Sequence, residues 1–168
     1  MSAPAILHAI FGPSGAGKTT YAHAFARREG AVAFILDDWM ARLFAPDMPD
    51  PIEYEWMIER VQRCETQIWS TAAAVLATGT PVILDIGLMR RADRARVREI
   101  ATAAELPLQF HYVTASQETR RARVAERNVV RGESFAIEVS PEMFAFIEGV
   151  FEPPEPAELE GAIISESA

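Results

Sequence analysis

Ile6-Leu-His-Ala-Ile-Phe11 followed by Gly12-Pro13-Ser14-Gly15-Ala16-Gly17-Lys18-Thr19-Thr20 is the stretch that decides the fold. The first six residues are mostly apolar and predict a short buried strand. Gly12–Thr19 then spells G-x-x-x-x-G-K-T, the phosphate-binding loop, and Lys18 to Arg28 has the composition of a helix. Strand, glycine-rich turn and helix form the setting this motif requires. Gly12, Gly15 and Gly17 let the backbone curl so that its N–H groups converge on an anion. The helix N-terminus adds its dipole to the same hollow. Lys18 reaches the β- and γ-phosphates, and the Thr19 hydroxyl is placed to ligate Mg²⁺. Gly12 to Thr20 is therefore the predicted nucleotide-binding loop, with ATP and Mg²⁺ as the expected cofactors.

Composition sets the frame for that loop. The chain has 168 residues, enough for one domain with a real core, and no second domain or repeat is apparent. Apolar residues make up 49%, close to the globular average. No apolar run has the length of a membrane span, and the start of the chain lacks the basic region of a secretion signal. One cysteine, Cys64, excludes an internal disulfide and a thiolate zinc cluster. These features predict a cytoplasmic protein. The net charge of −8 argues against a long nucleic-acid footprint. Between Arg90 and Arg131 arginines outnumber acids, whereas the stretch from Glu133 onward is acidic. A basic patch inside an acidic shell suits a phosphorylated small molecule.

Beyond the loop, strand-like and helical segments alternate. Strands are predicted at 31–37, 81–86 and 108–114, with a fifth at 161–165. Met57, Val61, Cys64, Ile68, Ala72 and Val75 form a helical stripe over 52–77, ended near Gly79. Helices are also expected over 91–105, from the Ser116 cap to about Asn128, and from Ser140-Pro141. Glu152-Pro-Pro-Glu-Pro156 reads as an exposed loop within an acidic, proline-rich segment, 152–168. Alternating strands and helices predict an α/β fold, a parallel sheet covered on both faces. Ligands in such sheets bind at the carboxyl ends of the strands.

Those ends carry the candidate chemistry. Asp85 closes an apolar strand and is the expected Mg²⁺ acid beside Thr19. Asp37 and Asp38 lie at the end of the second strand, where a carboxylate can take the proton of an attacking hydroxyl. Asp37, nearest the strand, is the favoured base, and Asp38, Trp39, Arg42 and Arg90 are candidate acceptor contacts. Arg127 and Arg131 are placed to stabilise charge on a moving phosphoryl group, over a lid at about 127–140. Arg120 and Arg121 read as a solvated helix face pairing with Glu118 and Glu126. His8, His23 and His111 read as isolated packing residues without metal spacing. Asn128 and the loop near Glu152 are the candidates for reading the base.

Together these parts resemble the small P-loop kinases of the zeta-toxin, chloramphenicol phosphotransferase and polynucleotide kinase group. The resemblance covers about residues 5–152. It rests on the phosphate loop, Leu36-Asp37-Asp38, the strand ending at Asp85, and Glu126-Arg-Asn-Val-Val-Arg-Gly132. It implies a P-loop NTPase fold, a parallel five-stranded sheet in the order 2-3-1-4-5 with a lid. It also implies Asp37 as general base and Arg127 and Arg131 as lid arginines. One departure stands out: polynucleotide kinases carry an arginine three residues after that aspartate, and Met40 stands here. The expected activity is transfer of the γ-phosphate of ATP to a hydroxyl of a small molecule, such as an antibiotic, a sugar nucleotide or another metabolite. The alternatives are a polynucleotide 5′-hydroxyl acceptor, and a nucleotide-binding ATPase or switch with no dedicated acceptor.

Overall fold

The computed structural model describes residues 4–130 and 138–167. Five strands form one sheet: β1 (Leu7–Phe11), β2 (Val32–Ile35), β3 (Val82–Asp85), β4 (Leu108–Thr114) and β5 (Ile163–Glu166). Their order is β2-β3-β1-β4-β5, and every pairing is parallel. All residues of β1 and β3 are buried, as continuous apolar runs in the middle of a parallel sheet should be. Leu7 faces Val82 on one side and Leu108 on the other. Ile35 faces Asp85, so the ends of β2 and β3 reach the same sheet edge.

Helices cover both faces. On one, α1 (Lys18–Glu29) buries Ala22 and Phe25 against Ile10, Ile35, Ile83 and Val113. On the other, α3 (Tyr54–Ala77) and α4 (Arg91–Ala103) enclose the larger core. The predicted stripe on α3 is buried at Cys64, Ile68 and Ala72; Met57, Val61 and Val75 are half-buried, and Leu76, outside the predicted stripe, is buried instead. The remaining helices are α2 (Leu36–Leu43), α5 (Gln117–Val130), α6 (Pro141–Val150) and the short α7 (Pro156–Leu159). Two expected caps form. The Ser116 hydroxyl accepts from the Thr119 N–H at 3.1 Å, and the Ser140 hydroxyl from the Met143 N–H at 3.1 Å.

The structure departs from expectation in four places. The second strand stops at Ile35, and Leu36 opens α2, so Asp37 and Asp38 occupy a helical first turn. Carboxylates there complement the helix dipole, which makes the early helix start favourable. Part of the proline-rich loop winds into α7, with Pro156 in its first turn. His8 and His111 are not isolated: His8 Nδ1 lies 2.9 Å from His111 Nε2, and the Tyr21 hydroxyl 2.8 Å from His111 Nδ1. This chain joins β1, β4 and α1, and burial holds both histidines below the ordinary imidazole pKa, His111 at about 4. Finally, Arg120 is buried, and the expected pairing with its own helix neighbours gives way to long-range contacts.

Candidate functional site

The phosphate loop is wedged between β4 and α5. At Gly12, φ is +153° and a Cβ would stand 1.9 Å from the Val113 carbonyl oxygen. At Gly15, φ is +75° and a Cβ would meet the Arg120 carbonyl oxygen at 2.7 Å. Glycine is thus demanded twice over, by conformation and by space. From this loop Lys18 and Thr19 open α1.

Lys18 donates from Nζ to the Pro13 carbonyl at 2.9 Å. Burial lowers its pKa; Asp85 and then Asp37 oppose the shift, and Arg120 and Arg127 reinforce it. Among the described residues the ammonium closes no ion pair. It is a half-buried cation beside a curl of backbone amides, a state an arriving phosphate relieves. Thr19 donates its hydroxyl proton to Asp85 Oδ2 at 3.0 Å. Asp85 is buried, and burial raises its pKa; Lys18 and the Thr19 hydrogen bond pull it back, while Asp37 and Asp38 push it further up.

That donor set fits Mg²⁺. One hydroxyl and one buried carboxylate are held side by side next to the phosphate loop, and among the described residues the carboxylate closes no ion pair. Mg²⁺ at phosphate sites takes one or two protein oxygens and fills its shell with phosphates and water. The described residues contain no cluster of three or more His, Cys, Asp or Glu able to hold a metal alone.

Asp37 and Asp38 lie close enough to bias Asp85 electrostatically. Asp37 is exposed to the cleft, and Asp38 is half-buried with Oδ2 3.7 Å from His23 Nε2. Asp38, Trp39 and Arg42 come together with His23 and Ile35 around a hollow of about 410 Å³. Arg90 does not join them; it is exposed at the N-cap of α4, where its N–H donates to Asp93 at 2.9 Å. Arg127 influences Lys18 electrostatically, and its buried Nε has no hydrogen-bond partner among the described residues. An orphaned guanidinium nitrogen beside a phosphate loop is a group prepared for an anion. Arg131 and positions 131–137 of the expected lid lie outside the described residues.

Sequence reading missed two buried arginines, of which Arg120 touches the phosphate loop and Arg94 ties the start of α4 to the C-terminal segment. Arg120 donates to the Ser14 carbonyl at 3.2 Å, to the Ala115 carbonyl at 3.1 Å, and through both Nη atoms to Glu148 on α6. Arg94 pairs with Glu158 at 2.7 Å and donates to the carbonyls of Leu88, Met89 and Glu152. The available signal was positional. Arg94 shares a helical stripe with buried Val97 and Ala101, and Arg120 one with buried Val124. Asn128 is also committed elsewhere, since its amide bonds both the N–H and the carbonyl of Val139. Glu152 accepts from the Arg91 N–H at 2.8 Å and so belongs to the start of α4.

Sheet order, phosphate loop and the Thr19–Asp85 pair define a P-loop nucleotide-binding protein of the α/β class. A family model described as AAA domain (AAA_33) matches residues 7–154, and the chain belongs to that family. Comparison with the curated proteins gives no significant sequence match. Among solved structures, a Chloroflexus aurantiacus protein is similar at TM-score 0.74 and 20% identity, over 98% of this chain and 89% of the other. The Mycobacterium tuberculosis APS kinase, solved with AMPPNP and APS, is similar at TM-score 0.65 and 14% identity, over 98% and 90%. A gluconokinase from Sinorhizobium meliloti is similar at TM-score 0.59 and 19% identity, over 98% and 83%. At these identities the likeness establishes the fold. No helix among the described residues is long and apolar enough to cross a membrane.

Proposed function

We propose that this protein is an ATP-dependent phosphotransferase that moves the γ-phosphate to a hydroxyl of a small molecule. The observation that carries the reading is a pair of carboxylates with unlike surroundings at one cleft. Asp85 is buried and bonded to Thr19, while Asp37 is exposed yet electrostatically coupled to both Lys18 and Asp85. A pure nucleotide switch has no use for the second carboxylate; a kinase needs it to hold the acceptor in line and receive its proton.

In this mechanism the amides of Gly12–Thr19 and the Lys18 ammonium grip the phosphates. Thr19 and Asp85 hold Mg²⁺, which when bound neutralises charge on the β- and γ-oxygens. Asp37 accepts the proton of the acceptor hydroxyl as that oxygen bonds to the γ-phosphorus. Arg127 stabilises the charge that builds on the transferring group, and Arg131 is proposed to assist it. ADP leaves with the electron pair of the broken bond. The kinase neighbours, the APS kinase and the gluconokinase among them, support phosphoryl transfer as the class of chemistry. Within that class, kinship to the zeta-toxin, chloramphenicol phosphotransferase and polynucleotide kinase group is part of the proposal. Met40, in place of a substrate-gripping arginine, favours a small acceptor over a polynucleotide.

The test is a panel of hydroxylated metabolites and antibiotics with γ-labelled ATP. Lys18→Ala is expected to lose nucleotide binding. Asp37→Asn is expected to keep ATP binding and lose transfer by about 10²- to 10⁴-fold. Equal loss in Asp38→Asn with an active Asp37→Asn would move the base to Asp38, and full activity in Lys18→Ala would reject the site.

A further inference from the structure

Between α3 and α4, directly beyond Asp85, lies a second hollow of about 100 Å³. Its floor is Ile86-Gly87-Leu88, and Glu65 and Trp69 of α3 face Asp93 and Arg96 of α4 across it. Space for on the order of three water molecules suits the edge of a ring rather than a whole substrate. Of the polar groups around it, Asp93 accepts from the Arg90 N–H, Glu65 is half-buried and Arg96 reaches solvent. Glu65 and Arg96 interact electrostatically, but among the described residues they form no ion pair and neither side chain makes a hydrogen bond. Burial raises the Glu65 pKa, which Arg96 lowers and Asp93 raises. Trp69 is half-buried against the core, and a Cβ on Gly87 would meet nothing within 4 Å.

We propose that this hollow is the acceptor-recognition subsite, and that it takes a neutral, hydroxyl-rich ring such as a sugar or cyclitol. The chemistry is specific. Neighbouring hydroxyls of such a ring can donate to the Glu65 carboxylate and accept from the Arg96 guanidinium, closing the gap between them. The C–H face of the ring is matched by the flat apolar indole of Trp69. Two acids against one arginine make the hollow a poor host for an anionic group. Ile86 and Gly87, which follow Asp85 directly in the chain, line the hollow, and this adjacency is what ties it to the proposed transfer site. The assignment of the ring as acceptor rests on the phosphotransferase reading; the binding chemistry does not.

The experiment measures binding of D-glucose, D-ribose and myo-inositol to the full chain by saturation-transfer NMR, with choline and 3-phenylpropanol as contrasting probes. Glu65→Gln, Arg96→Gln and Trp69→Phe are compared with the wild type, and each bound compound is then offered with γ-labelled ATP. At least one polyol is expected to bind and to lose at least tenfold in affinity in Glu65→Gln and Arg96→Gln, with the KM for ATP and the thermal midpoint unchanged. Binding of choline or phenylpropanol alone, or polyol binding indifferent to these variants, overturns the subsite. A polyol that binds as described yet is never phosphorylated overturns the transferase reading and leaves the subsite standing. Phosphorylation of an alcohol that is insensitive to Glu65→Gln does the reverse.

Discussion

Replacing Arg120 by methionine should cost the fold more than any other single polar change near the site. The Arg120 side chain is 8% exposed and makes a two-pronged ion pair with Glu148, itself 18% exposed. The same guanidinium satisfies the carbonyls of Ser14 and Ala115. Removing one partner of a buried pair costs about 3–5 kcal/mol, because the other charge stays buried. The partial exposure of Glu148 lets water recover some of that, so about 3 kcal/mol is expected. For a chain of this size that is roughly a 6–12 °C fall in Tm. Arg120→Met/Glu148→Met removes the stranded charge and should be more stable than Arg120→Met alone by at least about 1.5 kcal/mol. Urea unfolding at pH 7 reads both values, provided the slope of the transition is unchanged. A loss below about 1 kcal/mol in Arg120→Met, or additivity in the pair, would refute the assignment of Arg120 as a buried brace between the phosphate loop and α6. A further consequence is weaker nucleotide binding in Arg120→Met, since the Ser14 carbonyl loses the donor that fixes its direction.

Three more outcomes follow from the same geometry. His111 titrates at about 4 in the folded chain against 6.5 unfolded, so the unfolded state takes up the proton first. Stability should therefore be full above pH 6.5 and fall as pH drops toward 4, by roughly 3 kcal/mol from this residue; urea midpoints of wild type and His111→Gln should converge across that window, and parallel curves would contradict it. Gly12→Ala should prevent the loop from forming, given the 1.9 Å approach to the Val113 carbonyl, and near-normal ATP binding in that variant would show the turn to be misread. Asp85→Asn should raise the Mg²⁺ concentration needed for ATP turnover by about 10- to 100-fold, and an unchanged Mg²⁺ titration would remove Asp85 from the metal site.

The nucleotide loop, the parallel sheet and most elements were legible in the chain because each depends on local order. Eight consecutive residues define the phosphate loop, apolar runs define β1 and β3, and Ser116 and Ser140 cap helices two positions or fewer from where they were expected. Asp37, Asp85 and Thr19 come together because β2 and β3 end, and α1 and α2 begin, at one edge of a parallel sheet. Tertiary structure decided the rest, because burial and partnership over long separations leave no local pattern. Arg120 meets Glu148 across 28 positions, and His8 meets His111 across 103. Glu65 and Arg96 face one hollow only because α3 and α4 pack on the same side of β3. A helical arginine looks solvated until its stripe is known to point inward. The sequence determined the phosphate loop of a nucleotide-binding protein, because that loop is a local run of residues; the packing of the helices decided which charged side chains are buried in long-range pairs, because those partners lie far apart in the chain.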